Sequence, residues 1–430
     1  MSLSKRIVFT TFGSLGDLHP YMGVALGLRD RGHQAVIATS PFYQEKIEAT
    51  GIEFAPMRPD FPNREGVKEL VRDVLDMKKG PQTVIRDVVL PHLRDSYDDL
   101  TRAVAGADLL VTHMLVYAGP VVADKQKLLW ASSALQPGAL MSVYDELELA
   151  PAPWLSAVRR ASPPVYRGLL RVLMRMTESW GKPIQKLRMA EGLPPSKGNP
   201  LFHGGHSPHL VLAMFSRVLC QPMPDWPEAT RISGFPFYDR NGGTEIDREL
   251  ESFLSSGTPP VVFTLGSSAV MNAGQFYDIS AQAARRIGAR ALLLIGDEPE
   301  NHPPGPPSAD VGVFRYAPYS EVFPRCAAIV HQGGVGTTGQ ALRSGRPMLV
   351  MPYGQDQPDN AARVVRLGVG RTIRRERYSV DTAIEELTLL LSDRNYVERA
   401  AEIGKIVQAE NGVASACDAI EELMAKGHRG

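Results

Sequence analysis

Two series of strand patterns, each alternating with helical patterns, limit the fold of this chain more than any other feature of its sequence. The first series of β-branched and apolar runs covers residues 6–12, 34–39, 52–55 and 108–112. The second series covers residues 260–265, 291–296, 311–316, 327–332 and 347–352. Because strands separated by helices pair in parallel, each series predicts one doubly wound α/β sheet.

A region rich in proline and glycine lies between the two series and separates two predicted domains. The length of 430 residues also suits two hydrophobic cores better than one. We predict an N-terminal domain over residues 1–220, a linker over 221–245 and a C-terminal domain over 246–405. A final helical segment, 406–430, is expected to return to the N-terminal domain.

Composition argues against several classes of protein. The chain holds 47 basic and 47 acidic residues and is 43% hydrophobic, which is ordinary globular usage and predicts no nucleic-acid partner. Its three cysteines are far apart, so neither a disulfide framework nor a zinc site is indicated. No uncharged apolar run approaches about 18 residues, and we expect a soluble, cytoplasmic protein. The oligomeric state is left open.

The stretch HQGGVGTTGQALRSGRPMLVMPYGQDQPDNA, residues 331–361, combines a glycine turn with polar side chains. We predict a strand that ends at His331, then a turn, then a helix that begins at Thr337. The unpaired N–H groups and the dipole at such a helix start favour an anion, and glycines allow a phosphate to approach the backbone. His331, Thr337 and Thr338 add side-chain donors, so a diphosphate is the expected ligand.

Two polar residues on the next strand-to-helix loop indicate which diphosphate compound this is. Asp356 offers a carboxylate acceptor, and Gln357 offers an amide that both donates and accepts. Such a pair suits the vicinal hydroxyls of a sugar. A glycine turn before a helix is weak evidence alone, because Rossmann domains of many functions have one. In combination with His331, the Asp-Gln pair indicates a nucleotide-sugar site.

The order of histidine, glycine turn, paired threonines and P-x-x-x-D-Q-x-x-N-A resembles the nucleotide-sugar signature of the family 1 inverting glycosyltransferases. That resemblance implies the GT-B fold, in which two Rossmann-like, doubly wound α/β domains face each other across a cleft. The TT-x-x-A-L form is similar to that of bacterial sterol, antibiotic and rhamnolipid glycosyltransferases. By this resemblance, the donor-binding residues would be Ser267, Tyr316, Ala317, His331, Gly333, Gly334, Gly336, Thr337, Thr338, Asp356 and Gln357.

The resemblance also implies a role for each donor-binding residue. His331 would touch the diphosphate, the glycines and threonines would cradle it, Ser267 would face it, and the Asp-Gln pair would hold sugar hydroxyls. Tyr316 stands where relatives carry the tryptophan that stacks on uracil. Gly339 stands where plant relatives carry the glutamate that binds the ribose hydroxyls. We therefore expect UDP-glucose as the donor, with a dTDP-sugar as the alternative.

The segment FGSLGDLHPYMGVALGLRDRGH, residues 12–33, resembles the N-terminal signature of the same family. Asp17 aligns with the catalytic position, just before a helix predicted to begin near Leu18, and would take the proton of the acceptor hydroxyl. An aspartate has an ordinary pKa of about 3.9, so burial must raise this pKa for the task. His19 is the second candidate base, and His113 would face Asp17. Helix capping is the structural alternative for Asp17.

A basic amphipathic stretch over residues 165–189 follows the first series of strands. We interpret its apolar side as the wall of an acceptor pocket. The alternative is a peripheral contact with anionic lipid at a membrane surface. The residues on that apolar side are Leu169, Val172, Met176 and Trp180.

We expect an inverting glycosyltransferase that moves a hexose from an NDP-sugar to a hydroxyl of a hydrophobic acceptor, such as a phenol, flavonoid, sterol, macrolide or lipid. No cofactor is expected beyond this co-substrate. No metal is expected either, since His203, His206 and His209 lack an accompanying carboxylate or cysteine. Two other classes stay open: a UDP-sugar epimerase of the same fold, and a non-catalytic auxiliary of another glycosyltransferase.

Overall fold

The computed structural model describes residues 4–60, 64–239, 246–305 and 308–427. The chain divides into two compact units, each with its own sheet. The first unit runs up to Val67, continues over Lys78–Tyr238 and takes up the chain again from Glu410. The second unit comprises Lys68–Met77 and Asp239–Ala409.

The sheet of the first unit consists of seven strands. They are β1 (Arg6–Thr10), β2 (Gln34–Thr39), β3 (Glu53–Pro56), β4 (Leu109–His113), β5 (Trp130–Ala134), β6 (Val211–Ala213) and β7 (Thr230–Ile232). All pairs are parallel, in the order β3-β2-β1-β4-β5-β6-β7. Strands β1 and β4 are neighbours and are buried almost throughout, so their carboxyl ends meet at one edge of the sheet.

Nine helices occur in the described residues up to Ala190. They are α1 (Leu15–Asp30), α2 (Gln44–Glu48), α3 (Arg64–Val74), α4 (Gly80–Gln82), α5 (Leu93–Ala103), α6 (Ala118–Gln126), α7 (Leu155–Ala161), α8 (Pro163–Met176) and α9 (Lys182–Ala190). The chain passes into the second unit within α3, after Val67. There Lys68 pairs with Glu298, and the side chain of Gln355 donates to the carbonyl of Val74.

The sheet of the second unit has six parallel strands. They are β8 (Val261–Thr264), β9 (Ala291–Leu294), β10 (Val311–Phe314), β11 (Ala328–His331), β12 (Met348–Val350) and β13 (Gly370–Thr372). Their order is β10-β9-β8-β11-β12-β13. Because β11 lies between β8 and β12, the turns that follow these three strands lie side by side at one edge.

Helices also alternate with the strands in the second unit. They are α10 (Arg248–Ser255), α11 (Gly266–Ala269), α12 (Phe276–Arg286), α13 (Tyr319–Val322), α14 (Val335–Ser344), α15 (Gln357–Arg366), α16 (Val380–Ser392) and α17 (Arg394–Ala409). Two parallel-sheet α/β units are present, and the predicted fold class is confirmed. Among the residues that the structure describes, no helix is both long and apolar enough to span a bilayer.

The last helix, α18 (Gly412–Gly427), belongs to the first unit and packs against α1. Gly27 permits this close approach, because a Cβ at this position would lie 2.7 Å from Val413 and 2.9 Å from Cys417. At the end of α1, Arg31 forms an ion pair with Asp418 at 2.6 Å. The final segment therefore completes the helical layer over β1.

Two predicted helix starts were wrong, each because the turn before the helix is shorter than expected. Helix α1 begins at Leu15, since the Ser14 side chain accepts a hydrogen bond from the Gly16 N–H and caps the first turn. Asp17 therefore lies inside the helix. Helix α14 begins at Val335, directly after Gly334, so both threonines of the motif belong to the helix.

Candidate active site

Asp17 lies in the first turn of α1, just beyond the carboxyl end of β1. Its Oδ2 accepts hydrogen bonds from the Ser14 backbone N–H at 2.7 Å and from the Ser14 hydroxyl at 3.2 Å. This is a capping box, in which the side chains of the cap and the third helical residue satisfy each other's backbone N–H groups. Gly13 makes room for it, because a Cβ there would lie 2.6 Å from the Asp17 Cγ.

The other carboxylate oxygen of Asp17 faces His113, the last residue of β4. Its Oδ1 lies 3.7 Å from His113 Nε2, and the Asp17 side chain is 32% exposed. His113 Nδ1 accepts from the Leu115 backbone N–H at 3.3 Å, which leaves the ring proton on Nε2, toward the carboxylate. The structure thus brings together the two side chains that the sequence analysis paired.

The pKa values of this pair determine its state at neutral pH. Burial raises the pKa of Asp17 to about 6, against the hydrogen bonds from Ser14 that lower it. Burial lowers the pKa of His113 to about 4. At neutral pH the site therefore holds a carboxylate with increased affinity for a proton, next to a neutral imidazole.

His19, the second candidate base, is less suited to proton transfer. Its ring packs 5.1 Å from that of Tyr238, and its Nε2 is buried without a hydrogen-bond partner among the described residues. Burial, with a smaller contribution from the charge of Lys46, lowers the pKa of His19 to about 3. Asp17 is the better placed of the two to accept a proton near neutral pH.

In the second unit, the glycine turn after β11 has the geometry of an anion cradle. Gly333 has a φ of +93°, and a Cβ there would lie 3.0 Å from the Gln357 carbonyl oxygen. The turn leads into the ten-residue helix α14, whose first N–H groups have no partner within the helix. Thr337 and Thr338 are buried in that first turn, and Gly336 lies beside them.

Asp356 and Gln357 stand at the start of α15, next to this turn. Asp356 Oδ2 accepts from the Val335 N–H at 3.1 Å and from the Asn360 amide at 2.7 Å. Gln357 Oε1 accepts from the Tyr353 N–H at 2.8 Å, so the NH₂ of the Gln357 amide is the group left to meet a ligand. Together they provide a carboxylate acceptor and an amide donor at one place, as a vicinal diol requires.

His331 is turned into the protein. The ring is fully buried; Nδ1 accepts from the Gly333 N–H at 3.0 Å, and Nε2 lies 3.4 Å from the Met348 sulfur. Burial lowers its pKa to about 3, so the ring is neutral. In this structure His331 holds the glycine turn in shape, and its predicted contact with a diphosphate stays a prediction.

Comparison with known proteins agrees with both signatures. Residues 7–88 match the glycosyltransferase family 28 N-terminal domain, and residues 304–423 match the C-terminal domain of the erythromycin biosynthesis protein CIII-like family. Over 97% of both chains, the sequence is 33% identical to O-mycaminosyltylonolide 6-deoxyallosyltransferase of Streptomyces fradiae. The chain belongs to the family 1 glycosyltransferases of the GT-B fold.

Two further relatives show how widely the likeness extends. The glycosyltransferase is 26% identical to a sterol 3-beta-glucosyltransferase of Gibberella zeae, over 97% of this chain and 29% of that longer protein. The solved structure of the glycosyltransferase VinC in complex with dTDP superimposes with a TM-score of 0.69 at 20% identity, covering 99% of this chain and 100% of that one. The predicted family and the sugar-transferring activity are confirmed.

The remaining predicted donor residues of this glycosyltransferase follow β8 and β10. Ser267 lies in α11, directly after Gly266, whose φ is +63°. Tyr316 is 61% exposed, whereas Ala317 is fully buried. The sequence analysis missed Gln332, which lies inside the glycine turn. Its position between His331 and Gly333, inside the motif, could have identified it as a candidate residue of the donor site.

The amphipathic segment of the first unit buries a different face from the one expected. Helix α8 packs Tyr166 and Leu170 into a cluster with Val143 and Leu155, and the Tyr166 hydroxyl donates to the Asp145 carbonyl. Val172 and Met176, which we expected to line a pocket, are instead exposed to solvent. The buried face of α8 is offset by one helical position from the predicted apolar side, and the role of these two residues in an acceptor pocket stays a prediction.

A small recess beside His113 is lined in part by the end of this segment. It is lined by His113, Val116, Tyr117, Ile184, Arg188 and Pro200, among others. His206 lies 3.4 Å from the Ser132 hydroxyl, and no group of three metal-ligating side chains occurs within the described residues. The side chain of His203 lies outside them.

Proposed function

We propose that this glycosyltransferase transfers a hexose with inversion, using Asp17 as the base. The observation that carries the proposal is the Asp17 carboxylate beside His113 Nε2, at 3.7 Å, with a pKa raised by burial to about 6. The acceptor hydroxyl gives its proton to Asp17 while its oxygen attacks the anomeric carbon. The new C–O bond forms as the bond to the phosphate oxygen breaks, and the electron pair leaves with the diphosphate.

We propose a dTDP-linked 6-deoxyhexose as the donor, with UDP-glucose as the alternative. Three observations support this choice: Gly339 offers no carboxylate to a ribose 2′-hydroxyl, the Streptomyces fradiae relative is a 6-deoxyallosyltransferase, and VinC was solved with dTDP. The N–H groups at the start of α14 would take up the charge of the leaving diphosphate. We therefore expect no metal requirement, which a chelator such as EDTA in the assay tests directly.

We propose a hydrophobic natural product with a free hydroxyl as the acceptor. The 33% identical relative is named for transfer to O-mycaminosyltylonolide, and a more distant relative is named for sterols. Macrolides are therefore the first acceptors to test, followed by sterols, phenols and hydroxy lipids.

Mass spectrometry of the products tests the reaction class. The enzyme is offered dTDP-glucose, dTDP-rhamnose and UDP-glucose, each with a panel of macrolides, sterols and phenols, and each donor is also incubated alone. We expect a glycoside from a dTDP-sugar and a hydrophobic acceptor. A changed sugar nucleotide in the tubes without acceptor would instead identify an epimerase. Donor binding with no product from any pair would favour an auxiliary role.

We also propose a peripheral contact between α8 and an anionic lipid surface. Val165, Val172 and Met176 form one stripe on this helix and are 52%, 52% and 69% exposed. Arg171 and Arg175 flank the stripe and are exposed. Apolar side chains beside arginines suit the headgroup region of an anionic bilayer.

Co-sedimentation with vesicles tests this contact. Vesicles of phosphatidylcholine with phosphatidylglycerol are expected to bind the wild-type enzyme, and pure phosphatidylcholine vesicles much less. The double variant Val172→Ser/Met176→Ser should bind the anionic vesicles at least tenfold more weakly. Val397→Ser/Ile406→Ser, which removes two apolar side chains exposed on α17, is the matched control. Equal binding by both variants would contradict the proposal.

A further inference from the structure

The loop between β12 and α15 contains a residue with a strained backbone. Gln355 has a φ of +57°, in the left-handed region that residues other than glycine rarely adopt. Such a conformation persists only where surrounding contacts hold it, and it is common at binding sites. The next two residues are Asp356 and Gln357, which we expect to hold the sugar hydroxyls. Whatever holds Gln355 therefore also affects the direction of these two side chains.

The side chain of Gln355 reaches the end of α3. Its amide donates a hydrogen bond to the carbonyl of Val74, the last residue of that helix. The preceding loop residue, Gly354, lies against the next carbonyl of the same segment, because a Cβ at Gly354 would be 2.5 Å from the Leu75 carbonyl oxygen. Two consecutive residues of the loop thus meet the end of α3, and glycine at position 354 permits this approach.

An ion pair anchors the middle of α3 on the same unit. Lys68 pairs with Glu298 and Glu300 in the loop that follows β9. Glu298 is buried, and a buried carboxylate that loses its cation is strongly destabilised, so this contact is more than a loose surface pair. Val71 and Leu75 are also buried. The segment is therefore packed along its length and held at two separate loops.

These two loops lie on either side of the donor turns. In the sheet order β9-β8-β11-β12, the turns after β8 and β11 fall between the loop that binds Lys68 and the loop of Gln355. Three strand spacings measure about 14 Å. Helix α3 rises about 9 Å from Lys68 to Val74, and the long side chains of Lys68 and Gln355 supply the rest. The segment Lys68–Met77, called the brace below, therefore spans this edge of the sheet.

We propose that the brace positions the sugar-binding loop of the second unit, with Gln355 as the positioning residue. The inference rests on the proposed function, because it assumes that Asp356 and Gln357 meet the sugar of a nucleotide donor. The hydrogen bond to Val74 keeps the left-handed turn in place before the sugar arrives. Without it the loop must be ordered on binding, which costs affinity. The brace should therefore affect the affinity for a sugar nucleotide and leave that for the nucleoside diphosphate unchanged.

Calorimetric titration of the full-length enzyme with dTDP-glucose, dTDP-rhamnose and UDP-glucose, and with dTDP and UDP, tests the inference. Gln355→Met keeps the size of the side chain and removes its donor. It should weaken binding of the preferred sugar nucleotide about tenfold and change the affinity for the matching nucleoside diphosphate less than twofold. Gln408→Met is the matched control. Gln408 on α17 likewise donates to a backbone carbonyl, that of Arg343 at 2.7 Å, and its loss should change neither affinity.

A second variant tests the brace from its other contact. Lys68→Met/Glu298→Gln removes the ion pair without leaving a buried charge unpaired, and it should weaken binding of the sugar nucleotide selectively, as Gln355→Met does. Adding Gln355→Met to this variant should cost little more, because both changes act through the brace. Unchanged affinities in Gln355→Met, or equal losses for the sugar nucleotide and the nucleoside diphosphate, would overturn the inference. If the wild-type enzyme binds none of these compounds, the proposed function itself is wrong.

Discussion

The two units contain the same local arrangement of strand, glycine turn and helix, and the two turns differ at the cap and at the third helical position. The cap and first turn of α1 are Ser14-Leu15-Gly16-Asp17, and those of α14 are Gly334-Val335-Gly336-Thr337. Glycine stands at the second helical position in both. The third position holds an aspartate in the first turn and a threonine in the second.

That difference gives the two turns opposite chemistry. Asp17 accepts the Ser14 N–H and hydroxyl, so the donors of the first turn are satisfied by a negative charge of the chain itself. In the second turn Asp356 takes the Val335 N–H, and Thr337 adds a hydroxyl to the N–H groups of Gly336 and Thr337, which have no partner within the helix. The first turn therefore supplies a proton acceptor and repels anions, whereas the second attracts them. The comparison predicts that a substitution of Asp17 should remove proton transfer alone, and that a substitution of Thr337 should remove anion binding alone.

The largest expected effect is that of Asp17→Asn. The amide oxygen can still accept from Ser14, so the helix keeps its cap, but the group cannot take a proton. We expect kcat to fall about 10³-fold, with the affinity for dTDP unchanged in calorimetry. Turnover within tenfold of wild type would show that another group is the base, and His19→Ala would then be the variant to measure.

The reverse exchange, Thr337→Asp, should remove the anion cradle. An aspartate at the third helical position favours the helix, but Thr337 is buried, so the charge should cost the ligand-free enzyme some stability. Its charge opposes the diphosphate, and we expect affinity for dTDP or UDP to fall about 100-fold. Thr337→Ser keeps the hydroxyl and is the control, with affinity within about threefold. Retained binding in Thr337→Asp would mean that the diphosphate lies elsewhere.

Both turns were visible in the sequence because each follows a strong strand pattern and contains glycines at fixed offsets. The strand alternation was visible for the same reason, and so was the pairing of Asp17 with His113, which follow neighbouring strands. Strand β5, WASSA, was missed because its residues are mostly small and polar. Strands β6, β7 and β13 have three residues each, too few to show a period.

Side-chain direction could not be read from the sequence. His331 and Gln332 are adjacent in the motif, and only the packing of β11 against β12 turns His331 toward Met348. In α8, the apolar positions suggest two possible faces one residue apart. The contacts of Tyr166 and Leu170 decide which face is buried. Tertiary contacts of this kind are set by residues far away in the chain.

The pH dependence of turnover should distinguish the two turns again. Burial raises the pKa of Asp17 to about 6, and the base must be unprotonated, so kcat/KM should be level above about pH 6 and fall tenfold per unit below it. The pKa of His113, lowered to about 4, lies below that window. Binding of dTDP should not follow this profile. If kcat/KM instead begins to fall only near pH 4, the range of an ordinary aspartate, the assignment of Asp17 as a base with a raised pKa is contradicted.

The smallest effect concerns the glycine that makes room for Asp17. Gly13 and Gly32 both have left-handed backbone, with φ of +135° and +92°, so alanine should cost each about 1–3 kcal/mol of stability. A Cβ at Gly13 would also displace Asp17, whereas at Gly32 it would meet nothing within 4 Å. Thermal unfolding should therefore show a loss for both variants, larger for Gly13→Ala than for Gly32→Ala. Only Gly13→Ala should lower kcat, by about fivefold or more. Equal kcat in the two variants would mean that the capping box holds Asp17 in place without help from the turn.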